Sequence, residues 1–265
     1  MKKNLPSPND GYVSFYRLSY DALHWELLRT AMKMNIFDHL TTPRTSQEMA
    51  KKNGLHEKNT EHFLNALTAL GCLSKNQDRF QNSALGETFF TSGKDTFLSP
   101  SLLFMSSWNE PLFHGGLEKL LREGPQTIRD VTEPKQWAKG AEASLNYSRC
   151  GRAQKIAETL ASLPEFPSFS KMLDLGSGPG IMGIAVTARH PSMQCVLFDR
   201  PGICEVARQV IEEYGMGDRV TTLEGDFTTD SLEGPYDCIM ANFSLGMERE
   251  KLQDIMNRLH QALVP

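Results

Sequence analysis

The residues best suited to chemistry lie at four points in the second half of the chain. The first is KMLDLGSGPGIMG, residues 171–183. Here a short apolar run carries Asp174 and ends in Gly176, Ser177, Gly178, Pro179 and Gly180. A strand, a tight glycine turn and a helix form the usual frame for gripping a nucleotide-like ligand with backbone N–H groups. The dinucleotide fingerprint G-x-G-x-x-G needs a third glycine where this chain has Ile181, and Pro179 withdraws one N–H from the cradle. Both departures point away from a pyrophosphate and toward a ligand with a small carboxylate or amine end. Asp174 would suit an ammonium group or would order the turn. The other three points are Asp199, the run Gly225-Asp226-Phe227, and Asn242. A carboxylate at 199 can accept both hydroxyls of a ribose. Asp226 can accept from an adenine amino group, Phe227 can lie on a ring face, and Asn242 stands where a reacting group would sit. Each feature alone is weak, because glycines in turns are usually only turns and a strand-end aspartate is usually a cap. Four of them at four successive strand ends make a joint signal.

Those ends require an alternating scaffold. The sequence predicts strands over residues 172–175, 194–198, 219–223 and 236–241, with helices over 181–189, 202–214 and 248–263. The helix over 202–214 places Val206, Ala207, Val210, Ile211 and Tyr214 on one face, and the last helix turns Leu252, Ile255, Met256, Leu259 and Leu263 inward. Such alternation makes βαβ units and a parallel sheet, whose ligands bind at the carboxyl ends of the strands.

Upstream, residues 100–121 and 137–163 read as helical, the first interrupted at Pro111 and Gly115-Gly116. Phe104, Met105 and Trp108, with Asn109 and His114 among them, would wall an aromatic substrate pocket or simply pack the sheet. His114 is the one histidine in that region and a weak candidate for a catalytic base; a histidine among apolar groups is more often structural. Further toward the N-terminus, a helix over residues 14–34 carries Phe15, Leu18, Ala22 and Trp25 on one face, with more apolar surface at Leu27, Leu28, Ala31 and Met34. It is either a core helix or a contact between subunits. Thr45-Ser46-Gln47-Glu48 starts a short helix that Asn53-Gly54 stops, and Asn59-Thr60 opens another that Gly71 closes. Residues 72–74 and 79–81 then flank a turn over 75–78 as a hairpin. Helix, turn, helix and hairpin make a winged helix. The would-be recognition helix carries Glu57, Glu61 and Lys58 but no arginine, and charges nearly balance over residues 1–90. A DNA reader brings several basic groups to phosphates and bases, so a structural or dimerisation role is expected.

Composition narrows the class. The chain has 265 residues, 40% apolar, with a net charge of −4. That is enough for one large or two ordinary domains, with no global attraction to nucleic acid or an anionic membrane. No apolar run approaches the roughly 20 residues of a membrane span, and the start lacks the apolar stretch of a signal peptide. The five cysteines show no CxxC and the seven histidines are dispersed. Reduced thiols in a cytoplasm, and no metal site, are therefore expected.

LDLGSGPG (173–180), FDRPG (198–202), GDF (225–227) and YDCIMAN (236–242) together resemble the S-adenosylmethionine-dependent methyltransferases. IFDHL (36–40), NALTALGCLSKNQDRFQNSALGETF (65–89) and WNEPLFHGGLEKLLREG (108–124) narrow the resemblance to the plant caffeate and hydroxyindole O-methyltransferase family and its bacterial relatives. The resemblance covers nearly the whole chain. It implies an α/β, Rossmann-like methyltransferase domain (169–265), a helical linker and pocket region (96–168) and a winged-helix dimerisation domain (1–95). It also implies a cytoplasmic homodimer joined through the N-terminal domain, acting on a small aromatic substrate. By motif, Gly176, Asp199, Arg200, Asp226, Phe227 and Asn242 would touch the cofactor, with Tyr147 a weaker candidate. Two departures follow from the same resemblance. The O-methylating members carry a base histidine nine residues after the aspartate of the fourth strand; counted from Asp237, that position is Gly246. The family also continues into further strands where this sequence ends, so the fourth strand is expected to have an open edge, as in a truncated chain. Relatives lacking the histidine methylate nitrogen or carbon, or have turned to hydroxylation with the cofactor still bound. A winged-helix regulator that senses the cofactor is a further alternative.

Overall fold

The computed structural model describes residues 11–113, 115–124, 134–247 and 249–264. The chain divides into two compact units, residues 1–99 and 100–265.

The first unit is a helical winged helix. Helix α1 (Tyr12–Lys33) ends in buried Ala31 and Met32, while its first half exposes Phe15, Leu18 and Leu23. A two-residue strand, β1 (Arg44–Thr45), runs straight into α2 (Ser46–Asn53). The Thr45 hydroxyl accepts from the Glu48 N–H and the Glu48 carboxylate accepts from the Thr45 N–H, a reciprocal cap that satisfies two otherwise orphan donors. Gly54, at φ 64°, closes α2. The following helix, α3 (Glu57–Ala69), begins two residues before the predicted Asn59. His56 caps it, its Nδ1 accepting from the Asn59 N–H at 3.3 Å, a role that residue preferences do not announce. Strands β2 (Leu73–Asn76) and β3 (Arg79–Asn82) form the wing, and the predicted four-residue turn tightens to Gln77 and Asp78. Strand β1 pairs with β3 from the other side, giving the order β1-β3-β2. Helix α4 (Ala84–Phe89), capped by Ser83, packs Gly86 closely on the Cys72 carbonyl.

The second unit opens with α5 (Ser99–Asn109), α6 (Gly116–Glu123) and α7 (Pro134–Tyr147). The continuous helix expected over 137–163 is broken. A π-type turn, Ser148–Arg152, separates α7 from α8 (Ala153–Ala161), with Gly151 at φ 106°. Four parallel strands follow in the order β6-β5-β4-β7: β4 (Lys171–Leu175), β5 (Gln194–Asp199), β6 (Val220–Glu224) and β7 (Cys238–Met240). They alternate with α9 (Ile181–Ala188), α10 (Pro201–Glu213) and α11 (Leu252–Ala262). The last helix starts later than residue 248 because 3-10 turns precede it. Strand β7 is shorter than expected. Tyr236 leaves the ladder with β4 and instead bridges Leu263 in parallel on the far side.

Side chains of β4 and β5 alternate between two cores, as the period of two demands. Met172, Cys195 and Leu197 join Ala153, Ala157, Ile184 and Val210 on one face. Leu173, Leu175 and Phe198 join Tyr236, Ile255 and Leu259 on the other. Leu173, Leu175 and Leu197 are fully buried, worth about 2 kcal/mol each. The sheet is thereby held rigid beneath its carboxyl end.

Candidate cofactor-binding and active site

All four sequence-predicted points lie at the carboxyl ends of the parallel strands. Asp174, in β4, is 2% exposed, and its Oδ2 accepts from the Gly183 N–H at 3.0 Å. Burial pushes its carboxyl up to about 7, partly opposed by that hydrogen bond and assisted by the negative charge of Asp199. Of the two roles expected for Asp174, ordering the turn is the one its contacts serve in this structure. Gly176, Gly178 and Gly180 adopt φ of 67°, 57° and 79°. This is left-handed backbone that a side chain would strain.

The loop differs from expectation in one respect. Its N–H groups do not form an open cradle. Those of Gly176 and Ser177 donate to the Phe198 carbonyl at 2.8 and 3.2 Å, that of Gly178 to Asp199 Oδ2 at 2.8 Å, and that of Gly180 to the Ser177 carbonyl. Pairing with β5 turns the donors toward that strand. The loop therefore offers a ligand its shape and its side chains. Asp199 also accepts the Arg200 N–H on Oδ1 at 2.8 Å, so one lone pair of each carboxylate oxygen is already used. Burial raises its carboxyl above the ordinary range against those hydrogen bonds.

Beyond β5 and β6 lies a cleft of about 560 Å³ whose walls include Arg200, Gly202, Gly225, Asp226 and Trp137. That is the size of an ordinary small-molecule site. Gly225 is required there, since a Cβ would lie 2.8 Å from the Phe198 ring. Burial works against the Asp226 charge, but hydrogen bonds from Thr228 and the charges of Arg200 and Lys251 hold the carboxyl below its usual value. The Arg200 guanidinium lies 5.2 Å from the centre of the Trp137 ring. Phe227, expected on a ring face, is half-buried and packs on one side against the core beneath β4 and β5.

At the end of β7, Asn242 accepts from Arg152 at 3.3 Å through Oδ1 and turns its Nδ2 to Met182 Sδ, in the first turn of α9. Arg152 lies between the rings of Tyr147, at 5.5 Å, and Phe243, at 5.2 Å. Phe243 is 88% exposed and has φ 63°. Ser244 is buried against Gly176, where a Cβ would meet its own Cβ at 2.4 Å. Among the described residues, the buried hydroxyls of Ser177 and Ser244 have no hydrogen-bond partner. Nothing among the described residues lies within 4 Å of the position a Gly246 Cβ would take.

The structure thus gathers Asp174, Gly176, Ser177, Gly178, Gly180, Asp199, Arg200, Gly225, Asp226, Asn242 and Tyr147 along one sheet edge. The proposed pocket residues form a less coherent group. Phe104 and Trp108 stack edge-on at 5.8 Å, with Phe104 facing Gly140 of α7. Met105, Trp108 and Asn109 are exposed. His114 lies outside the described residues. Sequence reading missed Trp137, Arg152 and Phe243. The one available signal was Gly151, a glycine inside a helical pattern, which often marks a break.

The residues present fit an adenosyl amino acid. Carboxylates stand at the ends of β5 and β6, a cleft of suitable volume adjoins them, and buried hydroxyls near the glycine loop lack partners. Comparison with known proteins agrees. A sequence model of the O-methyltransferase domain matches residues 138–265, and one of the O-methyltransferase dimerisation domain matches residues 18–92. The N,N-dimethyltransferase OxyT of Streptomyces rimosus is 25% identical over 89% of this chain and 70% of its own length. The 3-hydroxy-5-methyl-1-naphthoate 3-O-methyltransferase of Streptomyces sahachiroi is 22% identical over 83% of this chain and 64% of its own. Human N-acetylserotonin methyltransferase, solved with S-adenosylmethionine, superposes with a TM-score of 0.76 at 18% identity, covering 99% of this chain and 78% of that one. The chain spans about two thirds of the length of these curated relatives. With both sequence models matched and the fold shared, the chain belongs to the S-adenosylmethionine-dependent O-methyltransferase family.

Proposed function

We propose that this chain binds S-adenosylmethionine across the ends of β4, β5, β6 and β7 and transfers its methyl group to a small aromatic acceptor that needs no histidine base. The observation that carries this reading is the meeting of the glycine loop, Asp199, Asp226 and Asn242 at one sheet edge. The cofactor supplies a methyl group on a positively charged sulfur, open to in-line attack. The chain's own part is to bind and align. Asp199 holds the ribose end with its remaining lone pairs, the cleft beside Arg200 and Asp226 holds the base, and Asn242 lines the methyl end.

Gly246 decides the acceptor class. A phenol with a pKa near 10 attacks slowly at neutral pH unless a base takes its proton. A ring nitrogen with a free lone pair, a stabilised carbanion or an acidic hydroxyl does not need that help. The named relatives include both an N- and an O-methylating protein, which is compatible with acceptors of either kind. A homodimer through the first unit accords with the dimerisation-domain match and with the apolar side chains exposed on α1. The free cysteines accord with a reducing cytoplasm, and no helix among the described residues is long and apolar enough to cross a membrane.

The test is formation of S-adenosylhomocysteine over a panel of aryl amines, ring-nitrogen heterocycles, acidic hydroxyarenes and simple phenols. Turnover is expected with the first three and not with simple phenols at pH 7. Gly246→His, which has open space to enter, is expected to confer phenol methylation that rises as the histidine loses its proton, with a midpoint near pH 6.5. No turnover on any acceptor, with cofactor binding intact, would refute the reading.

A further inference from the structure

The two strand-end carboxylates are held in different ways. Asp199 ends β5 and takes its hydrogen bonds from the Gly178 and Arg200 N–H groups. Asp226 lies past the end of β6, in a turn over residues 226–230 that fastens itself. Its N–H donates to Asp230 Oδ2 at 2.8 Å, and its Oδ1 accepts from the Thr228 N–H at 2.8 Å. Its carbonyl accepts from the N–H groups of Thr229 and Asp230 at 3.0 and 2.8 Å. Those bonds give the turn its shape. They do not fix where it sits, because both partners of each lie inside it. Two contacts reach it from α11. The Arg258 guanidinium donates through Nη1 to the Phe227 carbonyl at 2.8 Å and through Nη2 to the Asp230 carbonyl. Lys251, two helical turns earlier at the start of α11, holds Nζ 3.5 Å from Thr228 Oγ1.

Arg258 is the stronger of the two. Its planar fork spans the turn from residue 227 to residue 230 with charge-assisted hydrogen bonds. Among the described residues, those bonds go to the two carbonyls and to no carboxylate. The helix that carries it is fixed. Ile255 and Leu259, beside it on α11, are buried in the core beneath β4 and β5. Phe227 packs against the same core. At its other end, the segment is tied to β5, where the Gly225 N–H donates to the Asp199 carbonyl at 3.0 Å. The clamp therefore joins the buried side of the sheet to the segment that carries Asp226 into the cleft. Hydrogen bonds weaken steeply when misaligned, and a recognising group must be held to within roughly 0.5 Å. Asp226 can select a base only as well as its turn is placed.

We infer that Arg258 is a positioning residue for Asp226: it clamps the 226–230 turn so that the carboxylate meets the 6-amino group of the cofactor's adenine. This rests on the methyltransferase reading and adds to it the residue, on the last helix, that makes the site selective for its base. Calorimetric titration of the full chain compares S-adenosylhomocysteine with S-inosylhomocysteine, in which that amino group is replaced by an oxygen that a carboxylate repels. The unsubstituted chain is expected to prefer the adenosyl ligand roughly ten- to hundredfold, the worth of a charged hydrogen bond. Arg258→Met is expected to cut that preference to about threefold or less by weakening S-adenosylhomocysteine, with S-inosylhomocysteine unchanged within about twofold. Arg258→Lys keeps a cation that reaches one carbonyl; it is expected to fall between, and it serves where Arg258→Met does not fold. Asp226→Ala is expected to abolish the preference, and adding Arg258→Met to it to change the preference no further, since the two act as one unit. An undiminished preference in the Arg258 variants would overturn the inference. So would an equal loss of both ligands, which marks Arg258 as structural, or a further loss of preference in the Asp226→Ala background. An unsubstituted chain that binds both ligands equally overturns the inference and leaves the methyltransferase reading standing; if it binds neither, that reading itself fails.

Discussion

Two loops at the carboxyl edge of the same sheet are built on opposite terms. The β4–α9 loop, residues 176–180, places every left-handed residue at a glycine, and ties the N–H groups of Gly176, Ser177 and Gly178 to β5 and that of Gly180 to its own Ser177 carbonyl. The loop after β7, residues 242–246, places left-handed backbone at Phe243, exposes that ring, and buries the Ser244 hydroxyl without a partner. The first has its backbone N–H groups paired before any ligand arrives, and only the Ser177 hydroxyl is left without a partner among the described residues. The second carries strain and unmet bonding capacity, as segments that complete themselves on a ligand do. The difference suits a cofactor-bearing half that stays constant and an acceptor-facing half that can change.

The largest effect should come from the acid beneath the first loop. The folded pKa of Asp174, about 7, lies above its unfolded value of 3.8. The unfolded chain therefore releases this proton first, and stability should fall as pH rises from about 4 to 7, then level off. Asp199 is shifted in the same direction. Asp174→Asn keeps an acceptor for the Gly183 N–H and should flatten that slope, gaining up to about 4 kcal/mol at pH 8. Urea unfolding at pH 4.5 and 8 measures it, and an unchanged slope would mean that the loop does not rest on a desolvated acid.

The two loops meet at Gly176 and Ser244, so the next test breaks both. Gly176→Ala should cost roughly 3 kcal/mol, from left-handed backbone and a Cβ only 2.4 Å from that of Ser244, and should weaken cofactor binding. Adding Ser244→Gly should recover the overlap but not the backbone strain, which sharpens the comparison by dividing the cost between the loops. The smallest effect is expected at Phe243. Phe243→Gly relieves the φ of 63° and should stabilise the chain by at most about 1 kcal/mol. It should also raise the KM for a planar acceptor, and because the ring flanks Arg152, the partner of Asn242, cofactor affinity should fall by no more than about fivefold, the loss of one cation–π contact; a larger loss would merge the two halves.

Much of this was legible in the sequence. The glycines at 176, 178 and 180 and the acids at 199 and 226 named the strand ends, because turn chemistry and strand periodicity are local. Other features were not legible for a physical reason. The α7–α8 break looked like one helix, since Tyr147 to Ala161 keeps a helical pattern and only Gly151 departs from it. His56 as a cap has no strong preference behind it. Trp137 read as one more helix residue, although its ring borders the cleft.

By itself, then, the sequence determined the order of strands and helices and put glycines and carboxylates at the sheet's carboxyl edge, because local conformation follows from periodicity and turn residues. The tertiary structure decided which donor meets which acceptor. Strand order β6-β5-β4-β7 brings Asp199 to the Gly178 N–H and Ser244 to Gly176, across distances in sequence that no local pattern encodes. The π-type turn alone sets Arg152 between Tyr147 and Phe243, ninety residues apart from its partner Asn242.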